Sequence, residues 1–422
     1  MAVTKIADVI QPELFAQYVI DRTTEKSEIM YAGAIENNPT LNQLITGGGT
    51  TFTMPKWNDL GGNSEVLSDS QSLNVDKITS HKEIATLMIR GKAWGANELS
   101  GALAGDDPMQ AIASLVAEWW VRDEKTTLMN ILNGVFASDS MADLVLDIHE
   151  ESGDASKISG NAVLDAKQKL GDASDLLTML YMHSAVFTEL QKQNVIQFIP
   201  VAESHIQIPT YLGYRVVCDD SAPAVLARPA TWVATLGGTY AANDTVTLAG
   251  VTYTVLSTDT TLAKIATALA AAINADSTAS ATYKATASGD KVTVAQKVPG
   301  TGSAVTGSKT STAGTIAVAD GQSAITKSYY TTYLLSRGCI QRGIGNPVSL
   351  TPVETDRDSL ASNDYLINRQ AKVLHPKGIS WVAGANAIAG ATPSNSELAT
   401  GSNWNRVTEL KKIGMVKLVH TL

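Results

Sequence analysis

The hydrophobic pattern of the chain is organised around one long stretch, Asp107 to about Val135, in which apolar residues recur at helical spacing. Ile112, Val116, Trp119 and Trp120 form a stripe, Arg122, Asp123, Glu124 and Lys125 interrupt it, and Leu128, Ile131, Leu132 and Val135 resume it. Asp106 and Asp107 offer capping oxygens. Pro108 suits the first turn because its missing N–H needs no partner there. At 1.5 Å per residue the predicted rod spans roughly 40 Å. Periodicity alone makes this a long core helix with a polar belt at its middle.

Before this rod, Pro12 to Thr24 carries Leu14, Phe15, Tyr18 and Val19 as a short amphipathic piece, so residues 1–46 read as an arm with little core of its own. From Gly47 to about Lys92 the pattern turns extended. Thr51 to Trp57 leads out, Gly61-Gly62-Asn63 supplies turn chemistry, and Lys82 to Gly91 returns. A long hairpin with so few apolar contacts is unstable alone and is expected to lie on something else.

After the rod, Ser159 or Asn161 can cap a helix over Val163–Leu170, and Leu176–Met182 is an apolar run suited to a buried strand. A helix through Gln193 and strands at Ile196–Pro200, Ile206–Tyr211 and Gly213–Cys218 follow. At about Arg228 the composition shifts to Thr, Ala and Gly and stays there to about Lys327. Within that block two hairpins, Thr245–Leu248 with Val251–Val255 and Tyr283–Ala287 with Lys291–Val294, flank an amphipathic helix, Thr261–Ala275. This pattern predicts a small α+β unit inserted into a domain whose strands resume at Tyr329–Leu335. The later chain offers the charged run Glu354, Asp356, Arg357 and Asp358, an extended piece Asp364–Leu374, a small-residue loop over 384–404, and the segment Arg406–Val419.

Composition adjusts this picture in two ways. The 422 residues are 44% hydrophobic and only 17% charged, a folded chain with a surface suited to meeting other protein surfaces. The net charge of −9 argues against strong nucleic-acid binding, which relies on Lys and Arg, although it leaves room for a protein that encloses nucleic acid. No apolar stretch reaches membrane-spanning length and no signal peptide is recognisable, so a cytoplasmic site of synthesis is expected. Cys218 and Cys339 are too few for a disulfide framework, and free thiols are expected.

Catalytic and cofactor motifs fail on spacing. Gly302–Thr310 reads G-S-A-V-T-G-S-K-T, where Ser308 separates the second Gly from Lys309 and spoils a phosphate loop. Gly47–Gly49 has no preceding strand or following helix. His149-Glu150-Glu151 lacks the second His of a zinc hydrolase, and no G-x-S-x-G elbow occurs. Asp219 and Asp220 read as exposed turn carboxylates, since consecutive strand residues face opposite sides. No catalytic, cofactor or metal residue is assigned, and the chain is not expected to be an enzyme.

Several stretches together resemble the major capsid proteins of tailed bacteriophages, which have the HK97-type fold. They are Met182-His183-Ser184, Gly213 to Cys218 with Asp219 and Asp220, Ser336 to Cys339, and Val373-Leu374-His375-Pro376-Lys377-Gly378-Ile379-Ser380-Trp381. The resemblance covers the chain apart from the inserted block. It implies an α+β HK97-like subunit: N-terminal arm 1–46, E-loop hairpin 47–95, peripheral domain with the spine helix 96–158, axial domain 159–227, insertion domain 228–327, axial part 328–350, peripheral part 351–399 and C-terminal segment 400–422. It also implies an icosahedral shell of pentamers and hexamers that encloses double-stranded DNA without strong specific binding, assembled in the bacterial cytoplasm with a separate scaffolding protein and a portal, and leaves a decoration protein open. Candidate inter-subunit contacts are Lys56, Trp57, Asp59, Glu65, Lys77, Arg122 and Glu124. Under this reading Arg122 to Lys125 face the lumen or a neighbour, and changing Arg122 or Glu124 disturbs assembly more than folding. The competing readings are an encapsulin-like nanocompartment shell and a tail or adhesin component.

Overall fold

The computed structural model describes residues 33–58, 60, 62–67, 73–98, 108–200, 207–347, 349–382 and 388–422. Pro12–Thr24, Asp59, Asp106 and Asp107 lie outside the described residues. The chain divides into two compact units: the described residues up to Pro223 with Tyr330–His420 and Leu422, and Ala224–Tyr329 with Thr421.

The first unit is mixed α+β; its described residues form two large sheets, two two-stranded sheets and one dominant helix, Pro108–Ala137. Its apolar stripe is buried as the spacing predicts, with Val116, Trp120, Leu128, Ile131, Leu132 and Val135 all but inaccessible. Trp119 sits half-buried between Trp120 and Trp94, edge to face with both, at ring centroid distances of 4.8 and 5.4 Å.

The five-stranded sheet is built on Asn363–Pro376. Ile340–Gly345 pairs antiparallel with its C-terminal half, Val353–Asp358 with its N-terminal half, and Met88–Asn97 along most of its length. Ile35–Asn37 adds in parallel outside Ile340–Gly345. The other large sheet of this unit runs Val145–Asp147, Met415–His420, Tyr329–Ser336, Leu177–Met182, Tyr214–Cys218, Gln207–Tyr211, Gln197–Pro200. Tyr329–Ser336 and Ile340–Gly345, grouped above in one axial segment 328–350, belong to different sheets; the chain crosses between them at Arg337–Cys339.

Several local expectations are corrected. The end of the arm has a core: helix Pro39–Thr46, capped by the Asn38 side chain, buries Leu41 and Ile45 against Ala371 and Val373. With two anchoring apolar positions four residues apart, it is too short to show a period. The return strand Lys82–Gly91 is two strands, Ser80–Thr86 and Met88–Asn97, separated at Leu87, where partners change from the hairpin to the five-stranded sheet. The charged run around Asp356 is an edge strand, whose outward charges hide the alternation. In the expected loop 384–404, Asn395–Leu398 forms a helical turn closed by a capping box between Ser394 and Glu397. Cys218 and Cys339 are not joined in a disulfide.

The second unit packs helix Leu262–Ala275, capped by Thr261, on a four-stranded sheet ordered Tyr283–Ser288, Lys291–Gln296, Thr231–Gly238, Gly314–Asp320. Ile265, Leu269 and Ile273 meet Trp232, Leu236, Val292 and Val294 in a core of its own. A second, three-stranded sheet contains the hairpin that turns at Ala249-Gly250, and Gly307–Lys309 from the failed phosphate-loop segment is its third strand. The chain enters and leaves this unit side by side: Arg228 and Ile325 exchange backbone hydrogen bonds of 2.9 and 2.8 Å, and Ala227 N donates to Ser328 Oγ at 2.9 Å.

Candidate functional site

The hairpin pairs from Thr51 opposite Thr86 to Trp57 opposite Ser80, and only its root is packed. Phe52 and Ala85 join the cluster of Leu41, Ile45, Ala371 and Val373. Farther out apolar side chains face solvent: Trp57 is 70% exposed, Leu67 80%, Val66 95% and Val75 96%. Glu65 closes the distal segment by accepting from Asn74 N at 3.1 Å and Nδ2 at 2.5 Å, and the backbone bond from Asn74 is the chief reason its carboxyl is held low. Lys77 is exposed there too.

At the hairpin root one buried carboxylate ties the hairpin to the sheet. Both oxygens of Glu83 accept from Lys56 Nζ at 2.8 Å, and Oε2 lies 3.1 Å from His375 Nε2. An ionised carboxylate only accepts, so Nε2 carries the imidazole proton. Burial alone would raise the Glu83 pKa, but the bonds from His375 and Lys56 outweigh it and bring it to about 2, while burial pushes that of His375 down. Lys56 and Trp57 also border an open groove of about 660 Å³ with Leu176, Gly378, Val407 and Lys411. The turn at Gly378 is left-handed, φ +83°, and a Cβ there would come within 2.6 Å of Ile413. It joins Pro376 to the strand Ile379–Trp381, whose buried Trp381 stands edge to face with Trp404 at 5.0 Å.

The polar belt is the second site. Asp123 Oδ2 accepts from Lys372 Nζ at 2.7 Å; Arg342 grips Glu124 with Nη2 to Oε2 and Nε to Oε1, each at 2.8 Å; and Lys125 Nζ meets Asp219 Oδ2 at 2.8 Å. Arg342, Lys372 and Glu124 are almost fully buried. Glu124 is therefore engaged inside the subunit, which corrects its assignment as a lumen-facing or inter-subunit charge. Arg122 is exposed on the same helix. Asp219 is corrected as well. It follows the strand Tyr214–Cys218, is mostly buried, and accepts from Ser221 N at 2.9 Å. Burial would raise its pKa, but the bonds from Lys125 and Ser221 lower it. Asp220 lies 3.8 Å from His183, whose Nδ1 accepts from Ala185 N to cap helix Ser184–Lys192.

The structure thus gathers Lys56, Trp57 and Gly378 around one groove, His375 and Lys56 on Glu83, and Asp219 and Glu124 on the belt. Glu65 and Lys77 stay apart on the distal hairpin. The signal for Arg342 was a lone charge inside an otherwise uncharged strand, a placement that demands a partner, whereas Glu83 beside Lys82 and Lys372 in a strand with Asp364 and Arg369 carried no such mark. Each cluster fastens elements together. Among the described residues no group of three or more His, Cys, Asp and Glu is arranged to hold a metal, and no helix is long and apolar enough to cross a membrane.

A chain with exposed apolar hairpin residues, and with its buried charges used as internal ties, has the features of a structural subunit built for contact. Its sequence is 36% identical to the major capsid protein of Bacillus phage SPP1 over 425 residues, spanning all of this chain and 99% of that one. The chain belongs to the family of bacteriophage major capsid proteins, and is a structural component of the virus particle. No protein-family model matches it. Among solved structures it is similar to the capsid of Ralstonia phage GP4, at 6% identity and a TM-score of 0.47, covering 92% of this chain and 87% of that one. The capsid of Helicobacter pylori bacteriophage KHP30 gives 7% identity and a TM-score of 0.42, covering 92% and 86%.

Proposed function

We propose that this protein is the protomer of an icosahedral, HK97-type head shell of a tailed double-stranded DNA phage. It closes with copies of itself as pentamers and hexamers in the bacterial cytoplasm, with a separate scaffolding protein and a portal, and encloses the genome without strong specific binding. The full-length identity to a phage major capsid protein carries this reading. The exposed apolar residues of the hairpin support it, because a shell subunit leaves such surface for its neighbours. In this scheme 47–95 is the E-loop, Pro108–Ala137 the spine, and 228–327 an insertion domain. Trp57, Lys56, Asp59, Glu65, Lys77 and Arg122 are its inter-subunit contacts. Many modest interfaces per subunit would close the shell while each stays weak enough to correct errors. Negative-stain microscopy of the chain expressed with and without a scaffold partner tests the proposal: closed particles are expected, and monomers or tubes under every condition would refute it.

A further inference from the structure

The belt is arranged as a key. Successive helix residues point about 100° apart, so Asp123, Glu124 and Lys125 fan out within one turn, and each meets a different piece of backbone. Lys372 and Arg342 stand on adjacent strands of the five-stranded sheet. Asp219 stands at the end of a strand in the other sheet, held by its own amide, which donates to Met182 O at 2.9 Å, and by the Ser221 bond. A rotation or slide of the helix by one residue breaks all three pairs.

The pairs differ in access. Arg342 and Glu124 are 2% and 5% exposed and Lys372 is 1% exposed with its partner Asp123 at 17%, whereas Lys125 and Asp219 are 20% and 9% exposed. The helix is therefore locked to the five-stranded sheet by the buried Arg342–Glu124 pair and the buried Lys372, and braced to the other sheet by a pair that water reaches. A further tie to that second sheet lies near its C-terminal end, past the buried Leu128, Ile131, Leu132 and Val135, where Phe136 stacks on Tyr333 at 5.6 Å and Tyr333 Oη donates to Asn133 at 3.1 Å. Ring stacking fixes a pivot more than an angle. Lys125 lies roughly 16 Å along the helix from that pivot, so a change of about 1 Å at the brace turns one sheet against the other by roughly 4°.

We propose that the Lys125–Asp219 pair sets the angle between the two sheets of the subunit and, through it, the curvature of the shell. Both are positioning residues for assembly, and the inference rests on the shell-protomer reading. A small angular change repeated in every copy alters where a closed assembly closes.

The test uses the full chain co-expressed with its scaffold, with Lys125→Met, Asp219→Asn and Lys125→Arg compared by cryo-electron microscopy for particle diameter and by thermal melting for folding. Met at 125 and Asn at 219 are expected to melt close to wild type yet give shifted or broadened diameters or open sheets, while Arg at 125, which reaches the same carboxylate, restores the wild-type size. Wild-type diameters from both charge-removing variants would overturn the inference while leaving the shell reading intact. So would failure of both to fold, since the pair would then be a folding element. Absence of closed particles from the wild type would overturn the shell reading and this inference together.

Discussion

Removing the charge of Glu124 is expected to act on folding first. Glu124 and Arg342 are buried and joined by two contacts of 2.8 Å, and Arg342 Nη1 also reaches Asn37 Oδ1 at 3.4 Å. Glu124→Gln keeps the shape but leaves a buried guanidinium without its counter-charge, a change that typically costs about 3–5 kcal/mol. Against total stabilities of about 5–15 kcal/mol that is a large share. In a urea titration followed by tryptophan fluorescence, the midpoint is expected to fall by about 1 M or more. The paired replacement Glu124→Leu with Arg342→Met removes both charges together and is expected to recover most of the loss. If Glu124→Gln shifts the midpoint by no more than a surface substitution while blocking particle formation, the belt is an inter-subunit device at this position and not an internal tie.

Further outcomes follow from other contacts. Glu83 has a folded pKa of about 2 against an ordinary 4.5, so its contribution is present above pH 4.5 and is lost as pH falls through 2. The stability gap between wild type and Glu83→Gln is therefore expected to be about 3 kcal/mol near neutral pH and to close on acidification; a gap that does not change with pH would refute the ion-pair account. Gly134→Ala, a change that favours most helices, is expected to destabilise this one by about 1–3 kcal/mol or more, because the added Cβ would meet Leu398 O at 2.0 Å and Trp404 Nε1 at 2.7 Å. Calorimetric melting decides the sign. Excising residues 227–327 and joining Leu226 to Ser328 through a short linker is expected to leave a soluble, assembly-competent chain, because the two crossings run side by side; aggregation of the remainder would place the boundary elsewhere.

Local patterns made part of this fold legible. The stripe from Val116 to Val135 gave the long helix, and the composition change with the turns at Ala249-Gly250 and Ser288-Gly289-Asp290 exposed the second unit's hairpins. What periodicity omitted is long-range. Asp123 and Lys372 are 249 residues apart and Glu124 and Arg342 are 218 apart, so a run of four charges on a helix looks solvated until the strands that neutralise it are in place. The same blindness affected Asp219, which a strand-and-turn reading turned outward. Short elements failed for a different reason: Pro39–Thr46 and Val353–Asp358 are held by their neighbours, and their own sequences carry too few apolar positions to announce them.

The adjoining ends of the second unit also matter for how the chain reaches its folded state. An unstructured segment of roughly a hundred residues between Pro223 and Tyr330 would oppose the closing of the first unit's sheet by about 4 kcal/mol of chain entropy. Once Arg228 and Ile325 are bonded, the same gap behaves as a tether of about ten residues, and about half of that opposition disappears. The second unit, with its own core, is therefore expected to fold first and the discontinuous body to close over a shortened loop. A substitution such as Leu269→Ala, placed in the middle's core and far away in sequence, would on this account slow the maturation of strands it never touches.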